Sequence, residues 1–190
     1  YQSNGRIDVA GSRFLNNRAL GSPLGINRDA SGGAIYSGAV DSPPGFDYTT
    51  VTRLAASLFQ GNQAVATNGL ARGGAVYNSG NLLEDGGSTY AHNQVTSFGG
   101  EALGGAIAHV YDTSIPSLTT PPRAFLVGSR FDGNQAIGRP AIPLGPLALG
   151  LGGAIGLANS PEATLTALLF RRNRASTDGN DLWGSFTDPS

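Results

Sequence analysis

The side chains able to do chemistry are few and scattered. Asp178-Gly179-Asn180-Asp181 puts carboxylate and amide oxygens around a glycine turn, the hard-oxygen set that calcium takes. It lacks the longer spacing and the closing Glu of a calcium loop, so the same four residues also read as a plain turn. Glycoside hydrolysis needs two facing carboxylates, and a lyase needs a calcium-holding acidic cluster with a base. Neither set emerges. His92 and His109 have no Cys or His companions and are expected at the surface or in turns. Arg171-Arg172 and Arg174 form a basic cluster that can meet anionic glycans or simply stay solvated. Cys and Lys are absent, which removes disulfides, thiol chemistry, Schiff bases and lysine cross-links. No cofactor is implied.

The elements that must position these residues announce themselves by repetition. Gly-Gly-Ala-(Ile/Val) occurs at Gly32-Gly33-Ala34-Ile35, Gly73-Gly74-Ala75-Val76, Gly104-Gly105-Ala106-Ile107 and Gly152-Gly153-Ala154-Ile155, with a degenerate copy at Gly179-Asn180-Asp181-Leu182. Between them an aromatic residue precedes an Asn by three: Phe14/Asn17, Phe59/Asn62, Tyr90/Asn93, Phe131/Asn134 and Phe170/Asn173. The glycine pairs start at 32, 73, 104 and 152, which fits a coil of about 30 residues with variable insertions.

Each unit is expected to contribute three short extended pieces. Unit one offers Ile7-Asp8-Val9, Ser12-Arg13-Phe14 and Ala34-Ile35-Tyr36; unit two offers Thr52-Arg53-Leu54, Ser57-Leu58-Phe59 and Ala75-Val76-Tyr77. No segment shows a sustained 3.6-residue apolar stripe, so strands are favoured over helices. In Ser12-Arg13-Phe14 the Arg resists burial, so period-two alternation turns Ser12 and Phe14 inward and predicts one stacked column of rings. Asp181 in place of Ala marks the Ala position as outward. Ile35, Val76, Ile107, Ile155 and Leu182 then form an inward column, and Tyr36, Tyr77 and Trp183 face solvent. The Asn residues are expected in left-handed turns, hydrogen-bonded to their equivalents, and the glycine pairs in corners needing positive φ and close backbone approach. Asp8, Arg53, Glu84 and Asp85 predict a solvated ion-pair stripe across neighbouring coils. The reading is all-β: a right-handed, single-stranded parallel β-helix of about five coils with corner-loop insertions, right-handed by the crossover rule.

Insertions follow the Gly-Gly-Ala strand at 42–48 and 111–122, and the Asn turn at 20–31 and 137–149. Loops on one side of a solenoid are where binding concentrates. Phe46 and Tyr48 in the first loop, Leu144 and Leu147 in the apolar last one, and Tyr36, Tyr77 and Trp183 on the coil are therefore candidates for partner binding.

The alternating tetrapeptides resemble the passenger domains of bacterial polymorphic outer-membrane proteins, autotransported adhesins, and related β-helix repeats of other surface proteins. The resemblance spans nearly the whole chain. It implies a β-helix in an extracellular or cell-surface setting, associated with adhesion and self-association. No translocating C-terminal barrel is present in these residues.

A length of 190 residues and a formal charge of −1 fit one domain, 1–190, and give no electrostatic reason to expect nucleic acid or an anionic membrane as partner. No stretch has the run of about 20 apolar residues of a membrane span. The chain opens on Tyr1 with no signal peptide, as expected of a mature or excised part of a longer protein. The open ends invite head-to-tail pairing into filaments. Two functions follow: a structural or adhesive module whose partner is itself, a glycan or a surface protein, or a carbohydrate-active β-helix enzyme with its site in the corner loops.

Overall fold

The computed structural model describes residues 5–22, 28–38, 50–111, 122–141, 148–159 and 162–185. These form a parallel β-helix with five stacked sheets, named here in chain order. The first holds Gly5–Ala10, Thr50–Ala55, Leu82–Gly86, Arg123–Val127 and Glu162–Thr166; the second holds Arg13–Leu15, Leu58–Gln60, Thr89–Ala91, Arg130–Asp132 and Leu169–Arg171. The third holds Arg18–Leu20, Gln63–Thr67, Gln94–Phe98, Gln135–Arg139 and Arg174–Ala175, and the short fourth Ala30–Ser31, Ala71–Arg72, Ala102–Leu103 and Gly150–Leu151. The fifth holds Ile35–Ser37, Val76–Asn78, Ile107–Val110, Ile155–Ala158 and Leu182–Trp183. Every coil therefore has up to five strands where three were expected. The third and fourth sheets were missed because their inward positions are mostly Ala, which carries little strand signal: Ala64, Ala66, Ala71, Ala102 and Ala136 with Val95 make a separate small-residue cluster. Ile137–Arg139 is accordingly strand rather than loop, and Ala30–Ser31 interrupts the first insertion.

The aromatic column forms as expected. Phe14, Phe59, Tyr90, Phe131 and Phe170 stack at centroid separations of 4.8, 4.9, 4.8 and 5.3 Å, near-parallel through the first four rings. That spacing is the interstrand repeat itself, so the register of the backbone imposes the stack. Ile35, Val76, Ile107, Ile155 and Leu182 pair residue to residue beside it and join the same core.

Two orientations are corrected. Ala75, Ala106 and Ala154 are fully buried in the main core, so the Ala position points inward. Asp181 at this position is half-buried, and its Oδ1 accepts Asn173 Nδ2 at 3.0 Å. Tyr77 is buried, and Tyr36 and Trp183 are partly buried, against Leu103 and Leu151 of the fourth sheet, which fill the angle outside the fifth. Tyr36 and Tyr77 stack at 5.1 Å.

The Asn column is an interior amide ladder. Asn62 donates its backbone N–H (3.0 Å) and Nδ2 (2.9 Å) to Asn93 Oδ1, and its Nδ2 also donates to the Phe14 carbonyl. Asn17, Asn93 and Asn134 repeat the donation to the next amide, and Asn173 ends it on Asp181. The left-handed residue is the one before each ladder Asn: Asn16 (φ 55), Gly61 (66), His92 (54), Gly133 (66) and Arg172 (53). A left-handed residue there bends the chain so that the amide turns inward; the Asn itself is selected for its four-way hydrogen bonding. Ser57, Ser88 and Ser129 form a second, shorter ladder, each hydroxyl accepting the backbone N–H of the preceding coil's Ser.

Candidate functional site

Among the described residues many charged side chains are paired with one another. On the first sheet Arg6 pairs with Asp8 (2.5 Å), Arg53 with Glu84, and Arg123 with Glu162 (2.9 Å), an exposed stripe of the kind expected. Asp85 is not part of it. It is 3% exposed, in register with Leu54 and Leu126 in the leucine column, and accepts Ser129 Oγ at 2.7 Å. In the same coil Tyr90 replaces Phe, and its buried hydroxyl adjoins that carboxyl. Burial pushes the Asp85 pKa up, against the opposing hydrogen bond from Ser129; burial and the neighbouring carboxylate push the Tyr90 phenol well above its ordinary range. Two coupled departures from the repeat in one coil were the available signal, hidden because Asp85 stands beside Glu84.

His109 is also corrected. It is fully buried, with Nδ1 2.8 Å from Asn78 Nδ2 and in register with Leu157, and burial lowers its pKa to about 4. The amide can only donate, so Nδ1 accepts and the ring is the neutral Nε2–H tautomer. His92 occupies an exposed turn.

Among the described residues the acids do not assemble into a catalytic pair or a metal site. Arg130 Nη2 donates to Asp132 Oδ2 at 2.9 Å, and Arg172 to both oxygens; the hydrogen bond from Arg130, then those from Arg172, hold the carboxyl below its ordinary range. Asp178 Oδ1 accepts its own Gly179 N–H, and Asn180 Oδ1 accepts the Ala175 N–H, as in a plain turn. Among the described residues no group of His and carboxylates can hold a metal ion.

Among the described residues the outer face of the third sheet carries two grooves. Its register lines up Arg18, Gln63, Gln94, Gln135 and Arg174, with Gln94 Nε2 donating to Gln135 Oε1 at 3.2 Å. Beside this column run Leu20, Val65, Thr96 and Ile137, then Thr67, Phe98 and Arg139. The Arg139 guanidinium lies 6.0 Å from the Phe98 ring centre. A groove of about 300 Å³ opens between Gln135, Arg139, Arg174 and Ser176, and a shallower one of about 230 Å³ runs from Arg18 past Gln63 and Gln94 to Phe98. No residue of this face was singled out from sequence except Arg174. Phe46, Tyr48, Leu144 and Leu147 lie outside the described residues, as does the 42–48 loop; Tyr77 is buried, and Tyr36 and Trp183 are half-buried.

Residues 11–38 match the repeat model of the Chlamydia polymorphic membrane proteins. No curated protein and no solved structure matches the chain. The matched stretch contains Phe14 to Asn17 and Gly32 to Ile35, and the remaining coils reproduce the same residues in register with it. The repeat at residues 11–38 is of the polymorphic membrane protein type.

Proposed function

We propose that the chain is a structural and adhesive module of a cell-surface protein, presenting the outward faces of its coils to a partner. The observation that carries this reading is the polymorphic membrane protein repeat at residues 11–38, repeated by the other coils. The inward residues of the repeat are consumed by packing, which leaves the outward faces of the coils for recognition by a partner. A non-enzymatic role is supported by the polymorphic membrane protein repeat, and of the described acids Asp8, Glu84, Asp132 and Glu162 are ion-paired and Asp85 is buried. Beads coated with the purified chain should attach to cultured epithelial cells more than albumin-coated beads do. Equal attachment, or turnover of a polyuronate in a lyase and hydrolase screen, would overturn the proposal.

Head-to-tail association is the finer possibility. Among the described residues the first and last strands of each sheet have one strand partner each, and Asn17 Oδ1 receives neither of the two donors that the later ladder Asn residues receive. Light scattering coupled to size exclusion should reveal species larger than 19.4 kDa that grow with concentration. A monodisperse monomer at high concentration removes the filament and leaves adhesion standing.

A further inference from the structure

The near-zero charge of this chain conceals a strong segregation. The segments that build the second and third sheets and the turn between them, residues 12–20, 57–67, 88–98, 129–139 and 168–175, carry seven arginines and one carboxylate, Asp132. That flank is +6. Everything else holds five arginines and twelve carboxylates, or −7, which together return the chain's −1. Two of the seven, Arg130 and Arg172, are occupied by Asp132. Arg13, Arg18, Arg139, Arg171 and Arg174 make no ion pair among the described residues, and Arg18, Arg139 and Arg174 are exposed around the two grooves of the third sheet.

We infer that the outer face of the third sheet binds an acidic linear polysaccharide, its carboxylate or sulfate groups on Arg18, Arg139 and Arg174 and its hydroxyls on the glutamine ladder. This deepens the adhesive reading by naming the class of ligand. Guanidinium forks suit the planar bidentate recognition of carboxylate and the oxygens of sulfate. Gln63, Gln94 and Gln135 each offer an amide donor and acceptor, the complement of a sugar hydroxyl. They recur at the interstrand spacing, ~4.8 Å, a step close to the length of one pyranose residue, and the outer arginines of the column stand four such steps apart, roughly 19 Å. An extended chain laid across the strands therefore meets the same polar group at each coil and a cation at both ends. Single-stranded nucleic acid fits less well, because it needs aromatic platforms and the one ring here, Phe98, is covered by Arg139. The flat face offers a duplex neither helix nor ribbon for its major groove.

The test is calorimetric titration of the whole chain at 150 mM salt with heparin oligosaccharides as the sulfated probe and oligogalacturonate as the carboxylated one. Arg18→Gln/Arg139→Gln/Arg174→Gln is compared with Arg6→Gln/Arg53→Gln/Arg123→Gln, which removes the same charge from the opposite flank. The first triple should weaken binding about tenfold or more and the second less than twofold, with unchanged circular dichroism. If the first triple fails to fold, Arg18→Gln and Arg174→Gln singly should each weaken binding about threefold. Equal losses from both triples, no binding of either probe by the unmodified chain, or equal affinity for a DNA oligonucleotide or phosphatidylserine vesicles overturns the assignment. Cell attachment of coated beads that persists in the absence of glycan binding would retire this ligand while sparing the adhesive role.

Discussion

Asp85 and His109 are both buried in the stack, and they respond to acid in opposite directions. The folded Asp85 pKa lies above the unfolded value of 3.8, so its contribution to stability is complete below 3.8 and is lost as pH rises through the folded value. His109 is held at about 4 against 6.5 unfolded, so its contribution is complete above 6.5 and disappears as pH falls toward 4. Asp85→Asn should therefore gain on the parent chain between pH 4 and 7, while His109→Leu, which copies Leu157, should flatten the loss of stability below pH 6.5. Thermal midpoints across that range read both. Restoring the repeat with Asp85→Leu/Tyr90→Phe replaces a buried polar pair by the leucine and phenyl columns on either side. A gain of roughly 1–4 kcal/mol is expected, about 2–4 °C of midpoint for each kcal/mol. A fall in midpoint would mean that the pair stabilises the coil beyond what the apolar columns supply.

Within the Gly-Gly corners the two glycines serve different needs. The first of each pair, such as Gly104 (φ 69), needs the left-handed backbone; the second needs space, since a Cβ on Gly105 would lie 2.0 Å from the Gly153 carbonyl oxygen and 2.6 Å from the Gln135 nitrogen. Neither neighbour is a side chain that can swing away. Gly105→Ala should cost on the order of 3 kcal/mol or more. Gly11 (φ 56) has nothing within 4 Å of an added Cβ, and the equivalent positions of other coils already hold Ala56 and Ala167 at φ 46 and 51. Gly11→Ala should cost only about 1 kcal/mol. Chemical denaturation of both variants gives the comparison. Motifs of this kind made the solenoid, the ring column, the branched aliphatic column and the amide ladder legible in the sequence, because the same residue returns in every coil. The third and fourth sheets were not legible, since alanine at their inward positions carries no clear period. Tyr77 was misread because alternation tells which side of a strand a residue leaves from, not that Leu103 and Leu151 wait there to cover it.

At the scale of the whole molecule the sum of charges misled where their distribution informs. The basic flank is visible only once the five coils are laid over one another, because its arginines are spread from Arg13 to Arg174 in the chain. The two ends of the stack are also unlike. Among the described residues Asn17 Oδ1 receives no donor, while Asn173 Nδ2 is held by Asp181, so a copy that adds to Asn173 must displace a carboxylate. Asp181→Ala restores the repeat and frees Asn173 Nδ2 for the Asn17 of another copy. It should promote association measured by light scattering, and no change would argue against end-to-end contact through this ladder.

All the backbone bonds between coils lie along the axis of the stack. Tension applied between its two ends loads them one rung after another, as in a zipper, rather than sharing the force across many at once. Such a tether yields coil by coil, each step paying out several nanometres of slack chain at roughly 3.5 Å per residue, before the next rung is strained. A protein anchored at one end and gripped at the other would stretch under shear instead of letting go.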